Sequence, residues 1–348
     1  MNKQKWLLIR DYSLAWTLAL MTYSLVRGVG TIETDGVQIP VRQAVMMSPL
    51  FGLLFGVVFS FAQMTFERLY NKRTPLPKLF LVRLSLSSAV LLVVTVVAFV
   101  VFMKVLRVGD MTFIQFISNP PIFVFYGYMV LVDGIIALFR QVGLMLGPGT
   151  MKKLIKGEFY NPREEDRVFM FLDLKSSTTM AEELGHFKYS RMIQDCFDDL
   201  AVVTRTDAEI YQYVGDEAVL TWQSEKGLED QNCLMAFYHF KERIDQRSDH
   251  YLTNYGLKPF FKAGLNLGKV TVAEVGKMKK EIAYHGDTIN TAARIQGKCN
   301  DFESELLISE ELKTALGKAL TFNTRLVGDI PLKGKAAHVA IYAVTAQN

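Results

Sequence analysis

Residues 168–179 of this chain read VFMFLDLKSSTT and decide the fold of its C-terminal half. The first five are apolar, as in a buried β-strand, and Asp173 follows at the end of that run. A turn after such a strand that leads into a helix presents free backbone N–H groups, so we expect it to hold a phosphate whose metal ion binds Asp173. The residues that would form this turn are Lys175, Ser176, Ser177 and Thr178.

A second carboxylate lies in IYQYVGDEAVLTW, residues 210–222. Two apolar runs flank Gly215 and Asp216, which predicts a β-hairpin with Asp216 in its turn. Two carboxylates on neighbouring strand ends can bind one or two Mg²⁺ ions. Taken alone, each aspartate also fits a purely structural part, as a helix N-cap for Asp173 and as a turn residue for Asp216.

The stretch YHGDTINTAARIQ, residues 284–296, predicts a turn at Gly286 followed by a helix. Asn290 and Arg294 stand four residues apart on that helix and therefore share one face. A guanidinium suits the charge that develops on phosphate oxygens during phosphoryl transfer. In isolation, such a pair is also compatible with a hydrogen bond on a helix surface.

A fourth stretch, IPLKGKAAHVAIYAV, covers residues 330–344. It places Lys333 and Lys335 on either side of a glycine, between two strand-like runs. A flexible ammonium in this loop could reach a triphosphate.

In this order, and together with AGLNLGKVTVAEVG at residues 263–276, these motifs resemble the catalytic domain of class III adenylate and guanylate cyclases. The resemblance covers about residues 166–345. It implies an α/β (α+β) fold with an antiparallel-rich central sheet flanked by helices. It also implies a head-to-tail homodimer with active sites between the subunits. The implied reaction converts ATP to 3′,5′-cyclic AMP and pyrophosphate by in-line attack of the ribose 3′-hydroxyl on the α-phosphorus, with two Mg²⁺ or Mn²⁺ ions per site.

The resemblance also implies roles for individual residues. By position, Asp173, Asp216 and the backbone carbonyl of Leu174 would bind metal. Asn290 and Arg294 would orient the ribose and stabilise the transition state. The lysine that holds the terminal phosphates would be Lys333, or Lys335 if the loop is shifted.

The two positions that select the base depart from the family pattern. Adenylate cyclases usually have a lysine three residues before the hairpin glycine and an Asp or Thr three residues before the helix-opening glycine. These positions are Gln212 and Ala283 here, and the Glu and Cys typical of guanylate cyclases are missing too. An amide can donate or accept hydrogen bonds at a base edge, whereas alanine cannot. We predict ATP as the substrate, because no acidic residue at position 212 would bind guanine, and GTP is the alternative.

Two further functions compete with this prediction. A diguanylate cyclase is similar in the VGDEAV stretch but should lack an Asn and an Arg four residues apart on a later helix. A catalytically silent receptor or scaffold with a cyclase-like domain should have lost a metal carboxylate or that pair. Because Asp173, Asp216, Asn290 and Arg294 are all present, we favour the active enzyme.

The N-terminal 146 residues are mostly apolar and predict an all-α, four-helix transmembrane domain. A helix needs about 20 residues to cross a bilayer core. Four stretches are long enough, at about residues 12–29, 44–66, 82–103 and 122–144.

The net charge of +4 comes mainly from basic clusters beside these apolar segments. This pattern favours contact with lipid headgroups and argues against nucleic-acid binding. The basic loops predict a multi-pass protein of the cell (inner) membrane whose N-terminus and catalytic domain are cytoplasmic. The transmembrane helices would contribute to the homodimer.

Three residues within the apolar segments carry structural predictions. Gly52 and Gly56 form a GxxxG pair that would let two helix backbones approach closely. Asp133 lies inside the fourth segment, where a carboxylate needs a polar partner in the helix bundle. An interhelical hydrogen bond is the structural interpretation of Asp133, and a sensing or transport site is the alternative.

A linker is expected at residues 147–165, before a catalytic domain at residues 166–348. Within the linker, residues 151–154 are compatible with a short amphipathic helix on the membrane surface. The three cysteines are too widely spaced for a metal site or a disulfide framework, so we expect reduced thiols at Cys196, Cys233 and Cys299.

Overall fold

The computed structural model describes residues 3–30, 41–69, 75–100, 112–118, 120–147, 150–317, 321–331 and 338–346. The chain divides into two compact units, Met1–Met145 and Leu146–Asn348.

The first unit is helical throughout its described residues. Its core is apolar and includes the buried side chains of Trp16, Phe59 and Met129. The helices are α1 (Lys3–Gly30), α2 (Val41–Leu69), α3 (Leu76–Val100), α4 (Phe113–Ile117) and α5 (Pro120–Leu146).

Two helical segments are long and apolar enough to cross a membrane, Val41–Glu67 and Ile122–Leu146, with mean hydropathies of 2.0 and 2.2. They coincide with the second and fourth predicted spans. The apolar segment Leu81–Val97 of α3 is shorter, and residues 101–103 of the third predicted span lie outside the described residues. Helix α1 is less apolar, because hydroxyl side chains and Arg27 interrupt it. The first and third spans therefore stay predictions.

Helices α1 and α2 are in backbone contact at two glycines. A Cβ atom on Gly52 would lie 2.4 Å from the Cα of Thr17, and one on Gly56 would lie 2.3 Å from the Cα of Ser13. No side chain fits at these distances, so the close approach predicted from the GxxxG pair is confirmed.

Asp133 of α5 is buried and has two partners on α3. Its carboxylate accepts hydrogen bonds from Arg83 Nη2 at 2.8 Å and from Ser87 Oγ at 2.5 Å. The ion pair offsets part of the cost of burying the carboxylate and ties α3 to α5. The predicted interhelical hydrogen bond of Asp133 is confirmed.

The second unit alternates helices and strands. Two 3₁₀ turns, Leu200–Thr206 and Glu229–Gln231, interrupt it. Its helices are α6 (Thr150–Ile155), α7 (Ser177–Asp199), α8 (Ser224–Leu228), α9 (Asn232–Gln246), α10 (Ser248–Tyr255), α11 (Asp287–Gly297) and α12 (Glu310–Leu316). Its strands are β1 (Arg163–Leu174), β2 (Glu209–Val214), β3 (Glu217–Gln223), β4 (Phe261–Val275), β5 (Glu281–His285), β6 (Leu306–Ser309), β7 (Phe322–Pro331) and β8 (His338–Ala346).

The described strands form one sheet of eight in the order β2-β3-β1-β4-β6-β8-β7, with β5 paired to β4. The β4–β6 pairing is parallel, and the other pairings are antiparallel. This is the antiparallel-rich sheet that the motifs predicted.

Strand β1 is buried on both faces of the sheet. Met170 and Leu172 pack into a core with residues of α7, α9 and α10. Phe169, which points to the opposite face, packs with Ala292 of α11. Burial on both faces explains why the sequence here is a continuous apolar run and not an alternating one. The three cysteines are buried and free, as expected: Cys196, Cys233 and Cys299.

Strand β1 begins earlier than the apolar run. Its first residues, Arg163 to Asp166, pair with β4, and the first three of them lie inside the predicted linker. They extend the strand because Glu165 turns its carboxylate to Arg163 and Arg167 instead of to solvent. Helix α6 forms in the same linker, where a short helix was expected, and its contact with a membrane surface stays a prediction.

Candidate active site

The sheet register brings the two predicted metal carboxylates together. Asp173 pairs with Glu217 of β3 on one side and with Lys262 of β4 on the other. Asp216 directly precedes Glu217, in a two-residue turn where Gly215 has a φ of 63°. That backbone conformation favours glycine. The predicted hairpin is confirmed, and its turn places Asp216 beside the end of β1.

Burial and neighbouring acidic groups raise the pKa values of Asp173 and Glu217. Burial, reinforced by the charge of Asp216, raises the pKa of Asp173 above its ordinary value. Burial and then the charges of Asp173 and Asp216 raise the pKa of Glu217. In addition, Oδ2 of Asp216 is buried without a hydrogen-bond partner among the described residues. The turn and the end of β1 therefore concentrate negative charge.

A divalent cation fits this arrangement. It would neutralise the mutual repulsion and give Asp216 Oδ2 the partner that it lacks. Within the described parts of the chain, no group of three or more His, Cys, Asp or Glu side chains could hold a metal ion. Oxygens from the backbone, water and substrate phosphate would have to complete the coordination, as Mg²⁺ readily allows. Leu174, whose carbonyl is the proposed backbone ligand, is buried opposite Phe261 of β4.

Three further side chains surround the carboxylates and were not predicted. Gln296 of α11 donates from Nε2 to Asp173 Oδ2 at 3.0 Å. The buried Lys262 places a positive charge near Asp173 and opposes the rise in its pKa. Burial and then the charge of Asp216 raise the pKa of Tyr189 to about 12. Strand register and helix packing create these contacts, and sequence spacing does not reveal them.

The turn after β1 opens a helix as predicted, since α7 begins at Ser177. Ser176 has a φ of 58°, a left-handed conformation that is uncommon for a residue other than glycine. The backbone N–H of Lys175 donates to the carbonyl of Phe260 at 2.8 Å, and its ammonium lies 5.5 Å from that ring. The backbone N–H of Lys175 is therefore not free to bind phosphate. Backbone N–H groups that could bind phosphate would be those of Ser176, Ser177 and Thr178.

Helix α11 carries the other two predicted catalytic side chains. Asn290 is exposed and makes a long hydrogen bond of 3.4 Å to the carbonyl of Gly286. Nη1 of Arg294 is buried without a hydrogen-bond partner among the described residues. In the described structure, neither side chain hydrogen-bonds to Asp173 or Asp216. Both therefore have unused hydrogen-bonding capacity. The predicted phosphate-binding residues Lys333 and Lys335 lie outside the described residues.

Comparison with known proteins identifies the family. The family model for the adenylate and guanylate cyclase catalytic domain matches residues 159–346, more than half of the chain. The chain belongs to this family. The resemblance inferred from the motifs is thereby confirmed, and the second unit is a class III cyclase domain.

Among curated relatives of this cyclase, adenylate cyclase 2 of Rhizobium meliloti (strain 1021) is 32% identical over 220 residues, covering 63% of this chain and 61% of the relative. A terminal-differentiation-specific adenylate cyclase of Dictyostelium discoideum is 25% identical over 185 residues, 50% of this chain and 8% of the relative. The chain thus spans less than two thirds of either protein. A solved bacterial light-regulated adenylyl cyclase has the same fold, with a TM-score of 0.55 at 15% identity, covering 66% of this chain and 67% of that one.

The two positions predicted to select the base lie on strands β2 and β5. Gln212 is exposed on β2, just after a break in the register with β3, and Ala283 is on β5. The rings of their chain neighbours, Tyr211 and Tyr284, are 5.0 Å apart. The two strand segments therefore approach each other at these rings.

A buried arginine stabilises this part of the cyclase domain. Arg167 of β1 is fully buried and forms hydrogen bonds to Glu165 at 2.7 Å and to Glu209 of β2 at 3.0 Å. Its guanidinium carbon also lies 4.8 Å from the ring centre of Tyr284. This network ties β1, β2 and β5 together. It was not predicted, because the sequence does not show that its members meet.

Proposed function

We propose that this chain is a membrane-anchored adenylate cyclase that converts ATP to 3′,5′-cyclic AMP and pyrophosphate. The observation that carries the proposal is the pairing of Asp173 and Asp216 at the end of β1. Both side chains are half-buried, and Oδ2 of Asp216 has no hydrogen-bond partner among the described residues, an arrangement that suits a cation. Membership of the cyclase family supports the same conclusion.

In the proposed reaction, the ribose 3′-oxygen attacks the α-phosphorus, and the bond from that phosphorus to the bridging oxygen of the β-phosphate breaks. Two Mg²⁺ or Mn²⁺ ions, when bound, supply activation of the hydroxyl and neutralisation of the triphosphate. Asp173, Asp216 and the carbonyl of Leu174 would hold them. The helix start at residues 176–178 would bind phosphate oxygens, together with Lys333 or Lys335.

Asn290 and Arg294 would act on the reacting groups directly. Arg294 would stabilise the negative charge that develops on the phosphate oxygens, and Asn290 would orient the ribose. Neither residue hydrogen-bonds to the carboxylates of its own chain in the described structure. The absence of these hydrogen bonds supports a homodimer in which each active site combines the carboxylates of one chain with the Asn and Arg of the other.

ATP is the proposed nucleotide, since both relatives named above are adenylate cyclases and position 212 has no acidic side chain for guanine. GTP is the second candidate, because the Gln212 amide can offer either a donor or an acceptor to a base. Helices α2 and α5 support anchoring in the cell membrane. The basic loops support a cytoplasmic N-terminus and catalytic domain.

Direct assay of the product tests the proposal. The full chain, purified in detergent, would be incubated with ATP or GTP and Mg²⁺ or Mn²⁺, and the products identified by mass spectrometry. We expect cyclic AMP and pyrophosphate from ATP. Cyclic GMP as the main product would make the protein a guanylate cyclase, and no cyclic product from either nucleotide would refute the proposal.

Variants connect turnover to the site. Asp173→Ala and Asp216→Ala should each lower turnover at least about 100-fold while leaving the protein folded, because metal ions contribute several kcal/mol to the transition state. Asp249→Asn, which changes an exposed carboxylate at the start of α10, should leave turnover unchanged. Near-normal activity in either site variant would contradict the metal assignment.

A further inference from the structure

Gln296 lies beside the predicted metal site without belonging to any predicted catalytic or binding set. Its side-chain amide donates to Asp173 Oδ2 at 3.0 Å. It is only 8% exposed, although a glutamine on a helix is more often solvated. A buried amide that reaches a carboxylate across two elements restricts the orientation of that carboxylate.

The backbone of Gln296 is fixed by close contact with β4. A Cβ atom on Gly264 would lie 2.1 Å from the backbone nitrogen of Gln296, so α11 and β4 touch with no side chain between them. Asn266 of β4 also donates to the carbonyl of Thr288, at the start of α11, at 3.0 Å. The backbone of Gln296 therefore has a defined position relative to the sheet that carries Asp173.

The chemistry of an amide suits this position. A lysine or arginine in its place would form an ion pair with Asp173 and compete with a cation for the carboxylate. A glutamate would add a further negative charge. A neutral NH₂ group occupies one oxygen and leaves the charge of the carboxylate for a metal ion.

Gln296 also lies on a different face of α11 from the two predicted catalytic residues. At 3.6 residues per turn it is about 120° from Asn290 and about 160° from Arg294. Helix α11 therefore presents the Gln296 amide to the carboxylate of its own chain, and it carries Asn290 and Arg294 on a different face.

We propose that Gln296 is a positioning residue of the metal site, which orients Asp173 through the Nε2–Oδ2 hydrogen bond and thereby raises metal affinity. The proposal rests on the proposed function, because it takes Asp173 as a metal ligand. Its role is distinct from that of Arg294, although both residues belong to the same helix.

The test is Mn²⁺ binding to the full chain in detergent, in the presence of α,β-methylene-ATP, measured by electron paramagnetic resonance. Gln296→Leu removes the amide at similar size. Gln296→Met keeps the length and flexibility of the side chain in case the leucine variant does not fold. The dissociation constant for Mn²⁺ should rise about tenfold in either variant, the loss usual when a partner of a metal ligand is removed.

Gln246→Leu is the matched control. Gln246 also donates to a carboxylate at 3.0 Å, that of Glu242, but on the exposed surface of α9. The Gln246→Leu variant should bind Mn²⁺ with the same dissociation constant as the wild type. An unchanged dissociation constant in a folded Gln296 variant would overturn the proposal, even if that variant melts at a lower temperature, since a purely structural glutamine would affect melting alone.

Two readouts separate this proposal from the proposed function. Asp173→Asn should abolish the tight Mn²⁺ binding. If wild type binds Mn²⁺ through Asp173 but cyclises neither ATP nor GTP, the proposed function fails, and the affinity of the Gln296 variants still decides the role of Gln296. If wild type binds no Mn²⁺, both proposals fail.

Discussion

Asp173 is held in an environment that disfavours its ionised form. Burial and like charge act in the same direction, and the one nearby ammonium discussed above, that of Lys262, offsets only part of the effect on Asp173. Groups with strongly perturbed pKa values cluster at functional sites, because binding of a cation or substrate relieves the perturbation. The chemistry proposed here follows from Asp173 and Asp216 more than from any other residues.

Gln212 and Ala283 supply a prediction about base selection. Changing Gln212 to Lys and Ala283 to Asp would introduce the polar pair usual in adenylate cyclases. Each well-formed hydrogen bond contributes about 0.5–1.5 kcal/mol, so the preference for ATP over GTP should rise roughly tenfold. A competition assay with both nucleotides measures it. An unchanged ratio in an active variant would mean that the base is recognised elsewhere.

Glu165 supplies a prediction about pH. Burial opposes its ionisation, but hydrogen bonds and charge from Arg167 and Arg163 outweigh burial and lower its pKa below the ordinary 4.5. Because the pKa is lower in the folded state, ionised Glu165 stabilises the fold above about pH 4.5, and this stabilisation is lost as the pH falls further.

Thermal unfolding of Glu165→Gln tests this expectation. The difference in melting temperature from wild type should be largest near pH 7 and should shrink below pH 4.5. Glu164→Gln is the control, since the Glu164 side chain is 73% exposed and lies 3.9 Å from Lys269. If the difference in melting temperature between Glu165→Gln and wild type does not vary with pH, the shape of the Glu165 side chain, and not its charge, stabilises the fold.

At the scale of elements, contact between α11 and β4 sets the geometry of the site. Gly264→Ala should force the two backbones apart, because the added Cβ would lie 2.1 Å from the backbone of Gln296. We expect a destabilisation of about 1–3 kcal/mol, as for other overpacked positions. Mn²⁺ should also bind more weakly, since the Gln296 amide would move away from Asp173.

Gly297→Ala is the matched control for that variant. An added Cβ there meets no atom within 4 Å, and alanine favours helix by up to about 1 kcal/mol. This variant should be neutral or slightly stabilised. Calorimetry measures the melting temperatures of both variants. Equal melting temperatures would contradict the close contact between α11 and β4 at Gly264.

Several elements could be predicted from the sequence because their signals are local. The apolar run before Asp173, the glycine in the β2–β3 turn and the Asn290–Arg294 spacing predicted a strand, a hairpin and a helix that the structure contains. Gln296 and the Arg167 network could not be predicted, since each depends on which strands and helices become neighbours. Register and packing of this kind are not encoded in spacing along the chain.

At the scale of the whole molecule, the contrast in composition predicted a helical N-terminal region and a mixed α/β region after it. The division into two units at residues 145 and 146 agrees with that contrast. The number of membrane spans was harder to predict, because polar side chains in α1 bring it below the apolarity of α2 and α5. A segment of borderline hydropathy does not reveal whether lipid or protein surrounds it.

The proposed membrane anchor should affect assembly and not chemistry. Residues 158–348 alone should retain cyclisation but dimerise weakly, because the membrane no longer raises the effective concentration of one catalytic domain near another. Specific activity should then rise with protein concentration. Fusion to a parallel dimeric coiled coil should remove that dependence. Activity that is independent of concentration and equal to that of the full chain would show that the anchor contributes nothing to assembly.

The central claim is that one active site combines the carboxylates of one chain with the arginine of another. Asp173→Ala and Arg294→Ala chains, each inactive alone, would be co-expressed with different tags, and mixed dimers would be isolated by sequential purification. Asp173→Ala with Asp216→Ala is the control, because both lesions fall in the same half of the site.

Cyclase activity of these mixed dimers tests the claim most directly. A symmetric dimer with shared sites leaves one intact site in the Asp173/Arg294 pairing, so activity should recover to about half that of wild type per dimer. The Asp173/Asp216 control should stay inactive. Absence of recovery in verified Asp173/Arg294 dimers would contradict the shared site and place Asp173, Asp216 and Arg294 in one chain's own site.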